Sequence, residues 1–169
     1  MSLDDRPGPT GRYPERAEDL PGPDALRGLT GRDYVEALRD GRLPAAPIAR
    51  TLGFWLETVE DGRAVFRGRP HFRVYNPMGA VHGGWFGAIL DSCMSCAGQT
   101  RLPAGTTYTT LEYKLNVTRA LTEASGDVLA IGEAVHVGRR TFVAEGRVIG
   151  AEDGRTYAAG STTCLVLEL

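Results

Sequence analysis

Apolar and small side chains run almost unbroken from Trp85 through Phe86, Gly87, Ala88, Ile89 and Leu90 to Cys93, Met94, Cys96 and Ala97, with one acidic residue, Asp91, in their midst. The stretch from Gly83 to about Gln99 has the length of a helix and nearly no polar face, which predicts a helix buried on most sides. Before it, Tyr34, Val35 and Leu38 recur at helical spacing and are followed by Gly41 and Pro44, predicting a short helix over 33–43. Leu52, Phe54 and Leu56 alternate with Trp55 and Glu57, and a Glu60-Asp61-Gly62 turn leads to Val65 and Phe66, the pattern of a β-hairpin. Beyond the long helix, strands are predicted at 107–117, 127–137, 141–150 and 155–167. Turn signals at Ser125-Gly126, Gly138-Arg139-Arg140 and Asp153-Gly154 separate them, and the simplest arrangement is an antiparallel meander.

A helix that is apolar nearly all round must be covered nearly all round, so the expected class is α+β, with one antiparallel sheet wrapped around one long central helix. Residues 1–30 carry Pro7, Pro9, Pro14, Pro21 and Pro23 among alternating charges and read as an irregular extension; residues 31–169 read as a single domain. The net charge of -2, from 19 basic and 21 acidic residues, offers no strong field to recruit nucleic acid or a membrane surface. No apolar run reaches the roughly 18 residues of a membrane span, and the expected location is cytoplasmic. Cys93, Cys96 and Cys164 make no disulfide framework. The Cys93-x-x-Cys96 pair sits inside the apolar helix without a second pair or a nearby histidine. It reads as small-residue packing, with a redox or zinc role as the alternative, and no metal is expected.

The candidate chemistry lies at the long helix. A carboxylate at Asp91 in such a run must be hydrogen-bonded or functional, because burying it without partners costs several kcal/mol. Pro77 and Gly83-Gly84 bracket the helix start, where unpaired N–H groups and the positive end of the helix dipole stabilise an anionic oxygen. The glycines serve either close approach of a ligand to the backbone or close packing of the helix start. Eight residues separate Gly83 from Asp91, about 12 Å at 1.5 Å per residue. One carbonyl cannot touch both. Two copies of the helix lying antiparallel across a two-fold axis would set each Gly83 against the partner's Asp91, and the site would then belong to a dimer interface.

The residues Asn76-Pro77-Met78-Gly79-Ala80-Val81-His82-Gly83-Gly84, then Leu90-Asp91-Ser92, then Thr109-Thr110-Leu111-Glu112 and Asn116, resemble the hotdog-fold acyl-CoA thioesterases of the PaaI-like branch. The resemblance spans residues 45–168. It implies a homodimer or homotetramer with interfacial sites, coenzyme A as part of the substrate and no separate cofactor. It further implies Asp91 as nucleophile or general base, the Gly83 N–H as polariser of the carbonyl oxygen, and Asn76 as a holder of thioester or water. His82 is expected to orient or cap. A hydroxyl from the following strand should meet the carboxylate, with Thr110 favoured and Thr109 the alternative by a one-residue slip. Gly84 and Ser95 join the expected substrate-binding set, Ser95 with small-residue packing as its alternative, and Arg139 and Arg140 resemble positions that meet the nucleotide phosphates. A non-catalytic acyl-CoA-binding module and an enoyl-CoA hydratase are the other functions this fold admits. The acyl group itself is open, with Trp85, Phe86, Met94 and Tyr113 as candidates to line its pocket.

Overall fold

The computed structural model describes residues 13–169. The expectations for residues 1–12 lie outside the described residues. Within the rest of the N-terminal extension the chain forms a 3-10 turn at Ala17–Asp19 and a one-turn helix α1, Pro23–Leu26, both local elements whose starts need no hydrophobic period. Helix α2 follows at Gly31–Arg39. Its N-cap, Thr30, accepts the Asp33 N–H at 3.1 Å and donates its hydroxyl to the Asp33 carboxylate at 2.6 Å.

A short helix α3, Pro47–Leu52, precedes the hairpin and corrects the expectation that Leu52 belongs to a strand. Proline opens this helix and Gly53, at φ +72°, closes it. The hairpin is β1, Phe54–Glu60, and β2, Arg63–Gly68. Helix α4 spans Gly83–Gln99. Four strands complete the sheet: β3, Thr106–Val117; β4, Val128–Val137; β5, Thr141–Gly150; and β6, Thr156–Glu168.

All six strands form one antiparallel sheet in the order β1-β2-β4-β5-β6-β3. The meander expected after the long helix therefore covers only β4, β5 and β6. Strand β3 crosses to the far edge and pairs with β6, while β2 pairs with β4. Alternation along a strand fixes which face is buried and carries no information about which strand lies beside it.

Helix α4 touches every strand of the sheet. Apart from Gly83, Gly84, Ala88, Asp91 and Ser92, each of its residues is buried. Contact with the sheet is close because Gly132 on β4 has no side chain: a Cβ there would lie 2.2 Å from the Cys93 carbonyl oxygen. Phe54, Phe66, Phe86, Ile89, Leu90 and Met94 fill the core, and the Trp85 indole N–H donates to the Leu52 carbonyl at 2.7 Å. At the near end of the sheet, Arg69 clasps Asp127 through two hydrogen bonds of 2.8 and 3.0 Å, tying the end of β2 to the start of β4. No helix among the described residues is long and apolar enough to cross a membrane.

Candidate active site

The loop before α4 is folded by Asn76. Its side-chain oxygen accepts the N–H groups of Met78 at 2.9 Å and Ala80 at 3.4 Å, and its backbone N–H donates to the Ala80 carbonyl at 2.7 Å. Gly79 takes φ +85° within this turn, a conformation that disfavours any side chain. The Asn76 amide nitrogen has no partner among the described residues. His82 then caps the helix: its Nδ1 accepts the Gly84 N–H at 2.9 Å, and its carbonyl accepts the Trp85 N–H at 3.0 Å. That assignment makes Nδ1 the unprotonated ring nitrogen.

These bonds leave one donor over. The Gly83 N–H, at the first helical position, has no acceptor among the described residues, and a Cβ built on Gly83 would meet nothing within 4 Å. Gly84 is exposed beside it, its N–H engaged by the cap. An uncovered N–H at a helix N-terminus is suited to an oxygen that gains negative charge.

Asp91 stands two turns further along, half-buried on the narrow stripe of α4 that the sheet leaves uncovered. Its Oδ1 accepts the Thr110 hydroxyl from β3 at 2.9 Å and the Ser95 hydroxyl at 3.3 Å from the next turn of the helix. The two hydroxyls lie 3.4 Å apart. The Asp91 Oδ2 has no partner among the described residues. The carboxylate is thus fixed through one oxygen and open at the other.

Of the two candidate threonines, Thr110 faces the helix and Thr109 is exposed on the other side of β3. Ser95 is only 1% exposed, so it lies behind the carboxylate as a support for it. The sheet register carries Thr110 beside Cys164, and Cys164 beside Phe142. Cys164, whose thiol is 3.6 Å from the Ser95 hydroxyl and 3.8 Å from that of Thr110, completes the packing behind the carboxylate. Sequence reasoning gave it no place, because only the long-range pairing of β3 with β6 brings it there.

Arg139 and Arg140 are exposed at the β4–β5 turn. Thr141 pairs with Leu165, and Leu165 with Thr109, so the turn ends about 10 Å across two strand spacings from Thr109. Cys93 and Cys96 are buried in the core side of α4 as unbridged thiols. Burial drives the Cys93 thiol far above its ordinary range and pushes that of Cys96 up to about 12, with the negative charge of Asp91 adding to the rise at both. Among the described residues no group of histidine, cysteine and acidic side chains is arranged to hold a metal ion.

Comparison with known proteins turns this geometry into a kinship. The model of the thioesterase superfamily matches residues 78–157, the stretch from the loop before α4 to the start of β6. The Pseudomonas aeruginosa protein PA1618, whose name proposes an esterase, is 30% identical over 123 residues, covering 72% of this chain and 83% of its own length. The chain belongs to the thioesterase superfamily. Within it, a 1,4-dihydroxy-2-naphthoyl-CoA hydrolase of Listeria monocytogenes is 28% identical over 98 residues, 58% of this chain and 78% of that one. Among solved structures, a variant of the phenylacetic acid degradation protein PaaI from Thermus thermophilus superposes with a TM-score of 0.63 at 26% identity, covering 71% of this chain and 98% of its own. This thioesterase-superfamily chain therefore has the hotdog architecture, with its sheet curved around α4, and it is a hydrolase of the thioesterase kind.

Proposed function

We propose that the protein is an acyl-CoA thioesterase that hydrolyses an aryl- or medium-chain acyl-CoA to the free acid and coenzyme A at sites shared between two subunits. The observation that carries this reading is the state of Asp91, held at Oδ1 by Thr110 and Ser95 with Oδ2 left open. The kinship adds weight: the Listeria monocytogenes relative is by name a CoA hydrolase, and the matched structure is a phenylacetic acid degradation protein.

In this mechanism the thioester carbonyl lies between Asp91 of one subunit and the partner subunit's Gly83. The Gly83 N–H donates to the carbonyl oxygen and stabilises the charge it gains as the carbon becomes tetrahedral. As general base, Asp91 removes a proton from water while the water oxygen bonds to the carbonyl carbon. The C–S bond then breaks, and the proton passes to the departing sulfur. As nucleophile, Asp91 would instead bond through a carboxylate oxygen to the carbonyl carbon as the C–S bond breaks and coenzyme A leaves as thiolate, protonated from water. This gives a mixed anhydride that a second water opens to the free acid and the Asp91 carboxylate. Asn76 would use its unengaged amide nitrogen on the thioester or water, His82 would hold the Gly83 turn in place, and Thr110 would aim the carboxylate. Arg139 and Arg140 would meet the nucleotide phosphates. Coenzyme A enters as substrate, and neither route calls on a further cofactor.

Two features of the isolated chain support the shared site. Strand β3 is an edge strand whose outer side is uncovered among the described residues, with Leu111 56% and Val117 44% exposed, whereas α2 and α3 pack on the other edge, β1. The uncovered stripe of α4 carries the small residues Gly84, Ala88 and Ser92, over which a second helix can approach closely. A homodimer, or a homotetramer built from such dimers, closes both.

The test is release of free thiol from a panel of acyl-CoA esters by wild type and Asp91→Asn. Turnover by wild type and its near-complete loss in the variant are expected. Tight binding of the esters without turnover would instead favour the acyl-CoA-binding module, and hydration of an enoyl-CoA would favour the hydratase. One turnover in oxygen-18 water, followed by mass analysis of the peptide carrying Asp91, separates the two roles of the carboxylate, since label in Asp91 marks the nucleophile.

A further inference from the structure

Strand β3 breaks its alternation next to the site. A bulge between Thr110 and Glu112 shifts the register against β6, so that Thr110 and Tyr113, three residues apart, both face α4. Without the bulge Tyr113 would point to the opposite face. Thr110 meets Asp91. Tyr113 meets Gly87, one turn earlier on the same side of the helix: a Cβ on Gly87 would lie 2.9 Å from the Tyr113 hydroxyl and 3.3 Å from its ring carbons. Glycine at this position is what allows the ring to rest on the helix backbone. Of the four side chains that could line an acyl pocket, Trp85, Phe86 and Met94 are buried in the core, whereas Tyr113, against Gly87 one turn from Asp91, keeps 46% of its surface exposed.

We infer that Tyr113, seated on Gly87, is the inner wall of the acyl pocket and sets the longest acyl group the enzyme accepts. This rests on the shared-site reading above. If the partner subunit's Gly83 faces Asp91 across an antiparallel pair of helices, residue 87, midway between 83 and 91, lies level with the two-fold axis. Tyr113 then stands between the two sites, four residues or about 6 Å along the helix from each reacting carbonyl. An acyl group that extends from the carbonyl toward the axis ends against the ring.

The experiment measures kcat/KM for straight-chain acyl-CoA esters of increasing length with wild type, Tyr113→Ala, Tyr113→Phe and Gly87→Ala. Tyr113→Ala should move the optimum to longer chains, raising the ratio of long- to short-chain kcat/KM about tenfold, the scale on which an apolar pocket resolves added methylenes. Gly87→Ala pushes the ring off the helix into the groove and should shift the optimum to shorter chains. Tyr113→Phe, which keeps the ring, should keep the wild-type length optimum. Should Tyr113→Ala fail to fold, the shortening in Gly87→Ala still reads the wall. An unchanged length profile in the folded variants, with wild type active, overturns the wall and leaves the thioesterase reading standing. Wild type inactive on every ester overturns both.

Discussion

Thr110 donates its hydroxyl to Asp91 Oδ1 at 2.9 Å from a strand that lies at the edge of the sheet, so the carboxylate is aimed by an element outside its own helix. Thr110→Val keeps the shape of the side chain and removes the donor. Losing a hydrogen bond to a charged group costs about 1.5–3 kcal/mol, so kcat/KM should fall about ten- to hundredfold. Thr110→Ser, which keeps the hydroxyl, should retain most activity. Steady-state kinetics of the two variants check this, and equal activity in Val and Ser variants would remove Thr110 from the mechanism.

His82 holds the helix start through its Nδ1, which accepts the Gly84 N–H. Replacing a capping side chain by alanine typically costs about 1 kcal/mol. His82→Ala should therefore lower stability by that order in urea unfolding and also lower kcat, because the Gly83 N–H loses its fixed direction. Asn at position 82 is a good capping residue and should recover the stability. Recovery of stability without recovery of activity would give His82 a direct part in the chemistry.

The thiols of Cys93 and Cys96 are buried, with that of Cys96 pushed up to about 12 and that of Cys93 higher still. Raised values keep both thiols protonated, and so unreactive, at pH 8. Iodoacetamide at pH 8 should leave these two residues unmodified in the folded protein and label them after unfolding in guanidinium. Peptide mass mapping reads the result, and rapid labelling of the folded protein would reopen a redox role for the pair.

Much of the candidate site's local geometry was legible in the chain itself. The apolar run behind Gly83-Gly84 gave α4 its two ends, because burial and the helix start are both local consequences of side-chain type. The strand pattern Thr110-Leu111-Glu112-Tyr113-Lys114 favoured Thr110 over Thr109, and the spacing of Asp91 and Ser95 set them on successive turns. What the chain concealed depends on pairing across long separations. Cys164 reaches Thr110 only through the β3–β6 register, and the bulge that turns Tyr113 onto Gly87 interrupts the alternation that a sequence reading extends. The place of β3 at the sheet edge was hidden for the same reason. The short helix Pro47–Leu52 was missed because one and a half turns carry too few positions to show a period.

The separation of Gly83 and Asp91 on one helix gives the account its most direct test. Gly83→Pro removes the N–H at the first helical position, where proline fits, behind His82 whose extended backbone at φ -64° and ψ 142° accepts a following proline. Alone it should cut kcat about a hundredfold or more, as loss of a donor to the developing oxyanion does. Asp91→Asn should be inactive. In a mixed dimer one of the two sites unites an intact Gly83 with an intact Asp91, so random subunit exchange between equal amounts of the two variants should restore up to about a quarter of wild-type thiol release. No recovery, with both variants folded and exchange demonstrated by mass spectrometry, would contradict a site built from two subunits.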